Sequence, residues 1–302
     1  MGSKPAPAGQ SDASPAGERL AAFGFDITVV PSCGGRIDVA RFEGHDLLVP
    51  RSDLTAELPL DAGSFPLVPF SNRIREGAFT HGGQVYDIGA NWTGDAHAIH
   101  GEGWQQPWMV TSKTPTSLSM QMEGTEWWPW SYECEQTIRL TETRLEMSLS
   151  LLNTDIFPMP AGLGFHPYFC RTEATQLTFG ASAVWPPLEE TGSGPLPLSS
   201  VRDFSAGASL GETTIDHCYE GWEGPALIRQ PGGPFDIRIE TGAPNADCTL
   251  FAPQGRDFFC FEPVTHLTGA FEHPDKQRSG LVIVEPGQRF DFSMTITPLP
   301  VG

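Results

Sequence analysis

The sequence predicts an all-β fold, a large and mostly antiparallel β-sandwich, and two observations lead to this class. Apolar residues recur at every second position in several segments, as they do when one face of a strand is buried. In addition, 33 Gly and 28 Pro are spread over the 302 residues, which is typical of many short elements joined by turns. No convincing amphipathic helix interrupts this pattern. We therefore expect sheets packed on sheets.

Six segments carry the alternation and are predicted strands. In chain order they are Phe23–Val29, Leu118–Met122, Tyr132–Leu140, Leu145–Leu151, Phe235–Ile239 and Phe290–Ile296. Gln136 is the polar exception in the third segment. Residues 130–157 lack Gly and Pro, which alone would suit a helix, but alternation on both sides of Thr141-Glu142-Thr143 indicates two strands and a turn. A further hairpin is predicted where residues 78–80 and 84–86 flank a turn containing Gly-Gly.

The composition predicts one domain after a short tail. Residues 1–19 are rich in Ala, Pro, Gly and Ser, so we expect a disordered N-terminal tail there. No shift in composition follows residue 20, and residues 20–302 are therefore predicted to form a single β-sandwich domain. The Pro-, Ser- and Gly-rich segment Trp185–Ser209 is predicted to be a long surface loop within that domain.

The charge balance limits the classes of partner. A formal net charge of −19 argues against binding to nucleic acid, which requires cationic groups that displace phosphate counterions. It also argues against attachment to anionic lipid, and no apolar run approaches the ~18 residues of a membrane span. The N-terminus lacks the apolar stretch of a signal peptide. We therefore expect a cytoplasmic protein with a neutral partner.

The cysteines point to reduced thiols, not to a disulfide framework or a metal site. Six cysteines are too few to staple a chain of 302 residues, and no two of them form a CxxC pair. They are Cys33, Cys134, Cys170, Cys218, Cys248 and Cys260. Most are expected to be buried and free.

Five segments break the strand pattern and combine polar with aromatic residues, as functional loops on a rigid scaffold do. They are residues 66–75, 95–104, 162–169, 215–222 and 258–266. Arg73 lies in an apolar segment and must either pair or face a cleft, because an unpaired buried charge is costly. Glu262 follows four apolar residues, in a strand predicted to be buried on both faces. For each of them an internal salt bridge remains the alternative to a functional role.

The histidines in these segments have structural alternatives too. His97 and His100 form an HxxH pair without a third spaced ligand, and on a strand they would point to opposite faces, so no metal site is predicted. His166 lies among aromatic residues, where a hydrogen-bonded core histidine is the alternative, and Asp216 and His217 would suit a polar turn.

Taken together, these segments supply a set of groups that single motifs do not. Arg73, His100, His166, Asp216 and Glu262 can bind a polyhydroxylated ligand and move protons on it. Aromatic residues among the same segments are candidates for stacking on the apolar face of a sugar. They are Trp104, Trp222 and Phe261.

Four strings in these segments carry a resemblance to a known family. They are PLVPFSNRI, HAIHGEGW, GFHPYF and FFCFEPVTH, in this order between residues 66 and 266. With them the chain resembles the aldose 1-epimerase (galactose mutarotase) family, most closely its shorter bacterial branch typified by the YphB-like proteins. The resemblance implies that family's large antiparallel β-sandwich, in agreement with the alternation above.

The resemblance also implies roles for the candidate residues. Glu262 matches the family's general base and His166 its general acid. Arg73 and His100 match residues that hold the sugar's oxygens, and Asp216 matches an aspartate that hydrogen-bonds sugar hydroxyls.

The implied reaction interconverts the α and β anomers of a free aldose through the open aldehyde. A base takes the anomeric hydroxyl proton while an acid protonates the ring oxygen. We therefore expect Glu262 to be ionised and His166 to be protonated, each charge favouring the other. No metal, nucleotide or redox cofactor is expected. The expected partner is a small aldose of unspecified identity, and the protein is expected to be a monomer or homodimer.

Three other functions remain as alternatives. A non-catalytic carbohydrate-binding protein need not keep both His166 and Glu262, so the presence of both favours an enzyme. A hexose-phosphate epimerase would need cations for the phosphate, and apart from His the segments offer only Arg73 and Arg75. A glycosidase would use two carboxylates, Asp216 and Glu262, and would leave His166 without a task.

Overall fold

The structure is a computed structural model that describes residues 17–51, 63–188, 194–198, 203–243, 246–273, 275 and 278–301. Its regular structure is almost entirely strands, together with a short 3₁₀ turn, Arg75–Gly77. Among the residues so described, no helix has the length and apolar character that crossing a membrane requires. The predicted all-β class is confirmed.

The strands are numbered in chain order. The first half of the chain contains β1 (Glu18–Ala22), β2 (Phe25–Val30), β3 (Arg36–Phe42), β4 (His45–Asp46), β5 (Pro66–Leu67), β6 (Arg73–Ile74), β7 (Ala78–His81), β8 (Gln84–Asp87), β9 (Ala98–Ile99), β10 (Met109–Lys113), β11 (Ser117–Glu123), β12 (Tyr132–Leu140) and β13 (Leu145–Asn153). The second half contains β14 (Met159–Ala161), β15 (Gly164–Phe165), β16 (Tyr168–Cys170), β17 (Gln176–Gly180), β18 (Ala183–Trp185), β19 (Ala208–Ser209), β20 (Ile215–Glu220), β21 (Glu223–Arg229), β22 (Asp236–Thr241), β23 (Asp247–Ala252), β24 (Phe258–Val264), β25 (Val282–Val284) and β26 (Arg289–Leu299).

Two large antiparallel sheets dominate the fold. One has nine strands in the order β10-β11-β12-β13-β26-β22-β21-β17-β19. The other has seven strands and runs β18-β20-β23-β24-β15-β5, with β16 also paired to β24. Apolar side chains from both sheets share one core, in which the rings of Phe165 and Phe292 lie 6.2 Å apart. The remaining strands form a four-stranded sheet, β1 to β4, and the pairs β14-β25, β6-β9 and β7-β8.

The predicted strands and hairpins are found, with one correction at the N-terminus. Residues 23–29 were predicted as one strand, but Phe23 and Gly24 both have positive φ and form the turn between β1 and β2. A two-residue turn of this kind matches the twist of an antiparallel hairpin. β1 begins at Glu18, inside the predicted tail, whereas residues 1–16 lie outside the described part of the chain.

The segment predicted to be a surface loop, Trp185–Ser209, contributes to the interior in its described parts. Trp185, Leu188 and Phe204 are buried, and Leu196 pairs with Val184 across a β-bridge. Apolar residues spaced among the prolines therefore reach the interior, although Leu188 and Phe204 lie outside the strands.

Strand β24 separates two apolar environments. Phe259 and Phe261 face the main core between the sheets. Phe258, Cys260 and Val264 face the other way, into a smaller cluster that includes Phe65 and Tyr168. Because strand side chains alternate, Glu262 lies on this second face, at the edge of the smaller cluster.

Candidate active site

The centre of the candidate site is a contact between His166 and Glu262. His166 directly follows β15, where its N–H donates to the carbonyl of Phe65 at 3.0 Å. Glu262 projects from β24, the neighbouring strand. The His166 Nε2 atom lies 3.3 Å from Glu262 Oε1, and the two residues are 6 % and 2 % exposed. Two sheet strands thus hold an imidazole and a carboxyl together out of bulk water.

Burial determines the charge state of this pair in the empty site. It raises the pKa of Glu262 well above its usual value, and the nearby charge of Asp216 acts in the same direction. Burial also lowers the pKa of His166 to about 3. The expectation of an ionised Glu262 beside a protonated His166 is therefore wrong for the empty site, because removal from water disfavours both charges. Burial thus favours the uncharged form of both groups in the empty site.

The His166 ring is fixed by stacking. It lies between the rings of Phe65 and Tyr168, at centroid distances of 4.5 and 4.9 Å. Its Nδ1 atom is buried and has no hydrogen-bond partner in the described part of the chain. Stacking therefore holds the plane of the ring, while the ring nitrogens remain available for proton transfer.

His100 faces the same centre as an uncharged donor. Its ring centroid is 5.2 Å from that of His166, at 89° to it. The Asn72 N–H donates to His100 Nδ1 at 3.1 Å, so the proton of the neutral imidazole lies on Nε2. Burial lowers the pKa of His100 well below its usual value, and a charge on His166 or on Arg73 acts in the same direction. His100 and Asn72 both have a positive φ, and in this backbone conformation the Asn72 N–H meets the His100 ring.

Arg73 is held by Asp95. Its Nε donates to Asp95 Oδ2 at 2.7 Å, and the two side chains are 27 % and 12 % exposed. Burial acts to raise the pKa of Asp95, but hydrogen bonds from Arg73 and from the His97 N–H outweigh it, so the pKa is lowered. The salt bridge considered for Arg73 is thus present. Because Arg73 lowers the pKa of Glu262 by its charge, the guanidinium also acts on the centre of the site.

Asp216 lies on the same face of the sheet as Glu262. On β20 it is opposite Phe251 of β23, and Phe251 is opposite Cys260 of β24, two positions from Glu262. Directly opposed residues share a face, so Asp216, Cys260 and Glu262 all project toward the site. Its effect on the pKa of Glu262 agrees with this placement.

The other histidines are engaged elsewhere. His97 Nδ1 accepts from the Glu76 N–H at 3.0 Å, whereas His100 Nδ1 accepts from the Asn72 N–H. His266 Nε2 accepts from the Ser71 N–H at 3.0 Å, and its Nδ1 lies 2.9 Å from the carbonyl of Leu267.

The aromatic residues proposed to stack on a sugar are buried, which corrects that expectation. Phe261 and Trp222 pack against each other in the main core, at a centroid distance of 5.2 Å. Trp104 is fully buried beneath Phe65, at 5.9 Å. These rings pack in the protein interior behind the site residues and are not exposed to a ligand in the site.

Three further residues of the site were missed by reasoning from the sequence. Asn72 fixes the tautomer of His100, Asp95 holds Arg73, and Cys260 lies beside the acid–base pair. All three occur within the five polar and aromatic segments singled out above. The spacing of two between Cys260 and Glu262 on a strand was the available signal for the cysteine.

Comparison with known proteins gives a consistent result. The sequence model of the family described as Aldose 1-epimerase matches residues 28–297. The chain is 31% identical over 245 residues to the uncharacterized protein YphB of Escherichia coli (strain K12), which covers 78% of this chain and 83% of YphB. It is 26% identical over 210 residues to the uncharacterized protein YihR of the same organism, covering 67% of each.

Solved structures agree with the fold. A crystal structure of a candidate aldose 1-epimerase from Escherichia coli K12 matches with a TM-score of 0.83 at 29% identity, covering 94% of this chain and 98% of that one. A galactose mutarotase-like protein from Clostridium acetobutylicum matches with a TM-score of 0.81 at 16% identity, covering 93% and 94%. The latter likeness shows the fold alone.

Proposed function

The chain belongs to the aldose 1-epimerase family, and on this premise we propose that it interconverts the α and β anomers of a free, neutral aldose. The observation that carries the proposal is the 3.3 Å contact between His166 Nε2 and Glu262 Oε1. Mutarotation needs one proton donor and one proton acceptor near the same carbon, and this pair supplies both.

The proposed steps follow the proton. Glu262 takes the proton of the anomeric hydroxyl while His166 gives a proton to the ring oxygen. The bond between C1 and the ring oxygen breaks with its electron pair on oxygen, and the C1 carbonyl forms. Rotation about C1–C2 presents the other carbonyl face, and closure reverses both transfers.

The proton count of the pair fits this cycle. Ring opening converts ionised Glu262 and protonated His166 into a neutral carboxyl and a neutral imidazole, which is the state favoured in the empty site. The buried pair is thus suited to the open-chain intermediate. We propose that a cyclic sugar, whose hydroxyl and ring oxygen hydrogen-bond the two groups, moves the proton from Glu262 to His166 across their direct contact.

The remaining site residues are proposed to hold the sugar. His100 would donate its Nε2–H to a sugar oxygen, because Asn72 occupies its Nδ1. Arg73 would donate its remaining N–H groups, with Asp95 fixing the guanidinium plane. Asp216 would accept from a sugar hydroxyl across the cleft from these donors.

The state of the arginines favours a free sugar over a sugar phosphate. Arg73 is bound to Asp95, and Arg75 donates to the carbonyl of Leu188 at 2.6 Å. A phosphate would call for cations that are not already engaged. A purely binding protein is disfavoured because it has no use for a buried imidazole–carboxyl pair whose side chains lack further hydrogen bonds among the described residues.

Polarimetry tests the proposal. Freshly dissolved α-D-galactose and α-D-glucose are followed with the wild-type protein and with the double variant His166→Gln/Glu262→Gln. We expect wild type to accelerate the approach to anomeric equilibrium for at least one sugar, and the double variant to match the uncatalysed rate. Equal rates for the two proteins would contradict the proposal. Competition by glucose 6-phosphate as strong as that by glucose would favour the phosphate-sugar alternative.

Three predictions about the whole molecule accompany this function. We propose that residues 20–302 act as one domain, that the protein is cytoplasmic, and that it is a monomer or homodimer.

A further inference from the structure

A third ligating side chain lies beside the acid–base pair. One ligating atom from each of His166, Cys260 and Glu262 lies within 4.8 Å of the other two, and all three residues are buried. Cys260 projects from the same strand as Glu262 and on the same face. Mutarotation by the proposed steps gives this thiol no role.

The separations suit a small tetrahedral cation. With metal–ligand distances near 2.1 Å, two ligands of a tetrahedral zinc ion lie about 3.4 Å apart. His166 Nε2 and Glu262 Oε1 are already 3.3 Å apart. The ligating atoms are up to 4.8 Å apart, so the thiol sulfur would have to move inward by up to about 1.2 Å to complete a three-ligand face with a zinc–sulfur bond of about 2.3 Å.

The ligand chemistry selects the kind of metal. A thiolate, an imidazole and a carboxylate together are typical of zinc and of metals that resemble it, whereas magnesium and calcium prefer oxygen ligands alone. A divalent ion would also neutralise the two negative charges that its binding creates on Cys260 and Glu262. The nearby carboxylate of Asp216 would add to this attraction, and Asp95 neutralises much of the opposing charge of Arg73.

We propose that His166, Cys260 and Glu262 form an inhibitory binding site for zinc or a similar thiophilic divalent cation. The ion occupies the space between the acid and the base and holds both as ligands. Cys260 and Glu262 each lose a proton to solvent on binding, and no oxidation or bond cleavage is involved. The inhibition rests on the proposed function, whereas binding of the metal does not.

Cobalt(II) titration of the metal-free full-length chain tests the binding directly. We expect saturation at one equivalent, with the intense visible bands of tetrahedral cobalt and a near-ultraviolet thiolate-to-cobalt charge-transfer band. Cys260→Ala should abolish the charge-transfer band and weaken binding by at least about 100-fold, the upper end for loss of a supporting group around a metal. Cys134→Ala is the matched control, because Cys134 is an equally buried strand cysteine in the other sheet.

Cobalt binding by a Glu262→Gln variant and competition with zinc make each outcome decisive. Glu262→Gln keeps the thiol and removes the carboxylate, so it should weaken cobalt binding even if Cys260→Ala does not fold. Zinc should displace cobalt and slow mutarotation in proportion to the fraction bound.

Binding without a charge-transfer band, or a band that survives Cys260→Ala, overturns the site. Zinc binding that leaves mutarotation unchanged overturns the inhibition. A cobalt site in a protein without mutarotase activity would keep the metal proposal and reject the proposed function.

Discussion

Two buried carboxyl groups in this molecule, Glu102 and Glu262, both have a raised pKa but differ in their hydrogen-bond partners. Burial raises the pKa of both Glu102 and Glu262. Glu102 accepts hydrogen bonds from the N–H and hydroxyl of Thr125 and from the hydroxyl of Tyr132. Glu262, in the described part of the chain, has the ring of His166 as its partner. The first carboxyl is saturated, and the second is not.

The buried histidines differ in the same way. Both ring nitrogens of His266 are engaged, one by the Ser71 N–H and the other by the carbonyl of Leu267. His166 is equally buried, but its Nδ1 has no partner in the described residues. Burial lowers the pKa of both rings.

Hydrogen bonds distinguish Glu102 and His266 from the proposed proton-transfer groups, Glu262 and His166. A buried group whose hydrogen-bonding atoms all have partners holds a loop in place. Glu102 does so by accepting from Thr125, and His266 does so by accepting from the Ser71 N–H. An unsaturated buried group is costly to keep and remains available to a ligand. Neither burial nor the direction of a pKa shift makes this distinction.

The largest expected effect is on the rate of mutarotation when the unsaturated histidine is replaced. His166→Gln should lower the rate by ~10²–10⁴-fold, because one of the two proton-transfer groups is lost. His266→Gln should mainly lower stability, by about 1–3 kcal/mol, since one terminal amide cannot replace both ring nitrogens and leaves the Ser71 N–H or the Leu267 carbonyl without its partner. Polarimetry and urea unfolding of both variants check this. Similar rates for the two variants would remove the distinction between the rings.

A change of pH should sharpen the comparison through stability. The pKa of His266 is about 4 when folded and ~6.5 when unfolded, so the unfolded chain gains a proton first on acidification. Wild type therefore loses about 2 kcal/mol of stability from this group between pH 7 and pH 5, and His266→Gln does not. The stability gap between them should narrow by that amount, as measured by urea unfolding at pH 7 and pH 5. A constant gap would mean that the folded ring takes up a proton.

The smallest expected effect concerns Asp95, which in the proposed site would act on the sugar only through Arg73. Asp95→Asn removes a partly exposed ion pair of the kind worth less than about 1 kcal/mol, so KM should rise by about 2- to 5-fold. The value of kcat should stay close to that of wild type, because the acid–base pair is untouched. Progress curves at varied sugar concentration separate the two constants. A loss in kcat with KM unchanged would place Arg73 in the chemical step.

The sequence predicted much of the fold because period-two alternation depends on local residue order. The long hairpin of β12 and β13 follows from alternation on both sides of Thr141-Glu142-Thr143. The turn at Phe23 and Gly24 was missed because the alternation continues through it. The burial of Leu188 and Phe204 was missed because contacts far apart in sequence, not composition, decide it.

The five candidate site residues were identified from motifs, but their state was not. The sequence places Glu262 in a buried strand and His166 among aromatic residues, and the structure adds the contact between them. Their charges were misjudged because desolvation depends on the whole surrounding shell. Asn72 and Asp95 act through His100 and Arg73, and such indirect roles depend on tertiary geometry.

The most direct test of the account compares the two buried carboxyls in one experiment. Mutarotation rate and unfolding free energy are measured for Glu262→Gln and Glu102→Gln beside wild type. We predict that Glu262→Gln loses ~10²–10⁴-fold in rate and keeps its stability, because a neutral amide replaces a group whose charged form burial disfavours. Glu102→Gln should keep most of its rate and lose about 1–3 kcal/mol of stability, because its amide N–H₂ meets a donor. A folded Glu262→Gln protein with a near-normal rate would contradict the account.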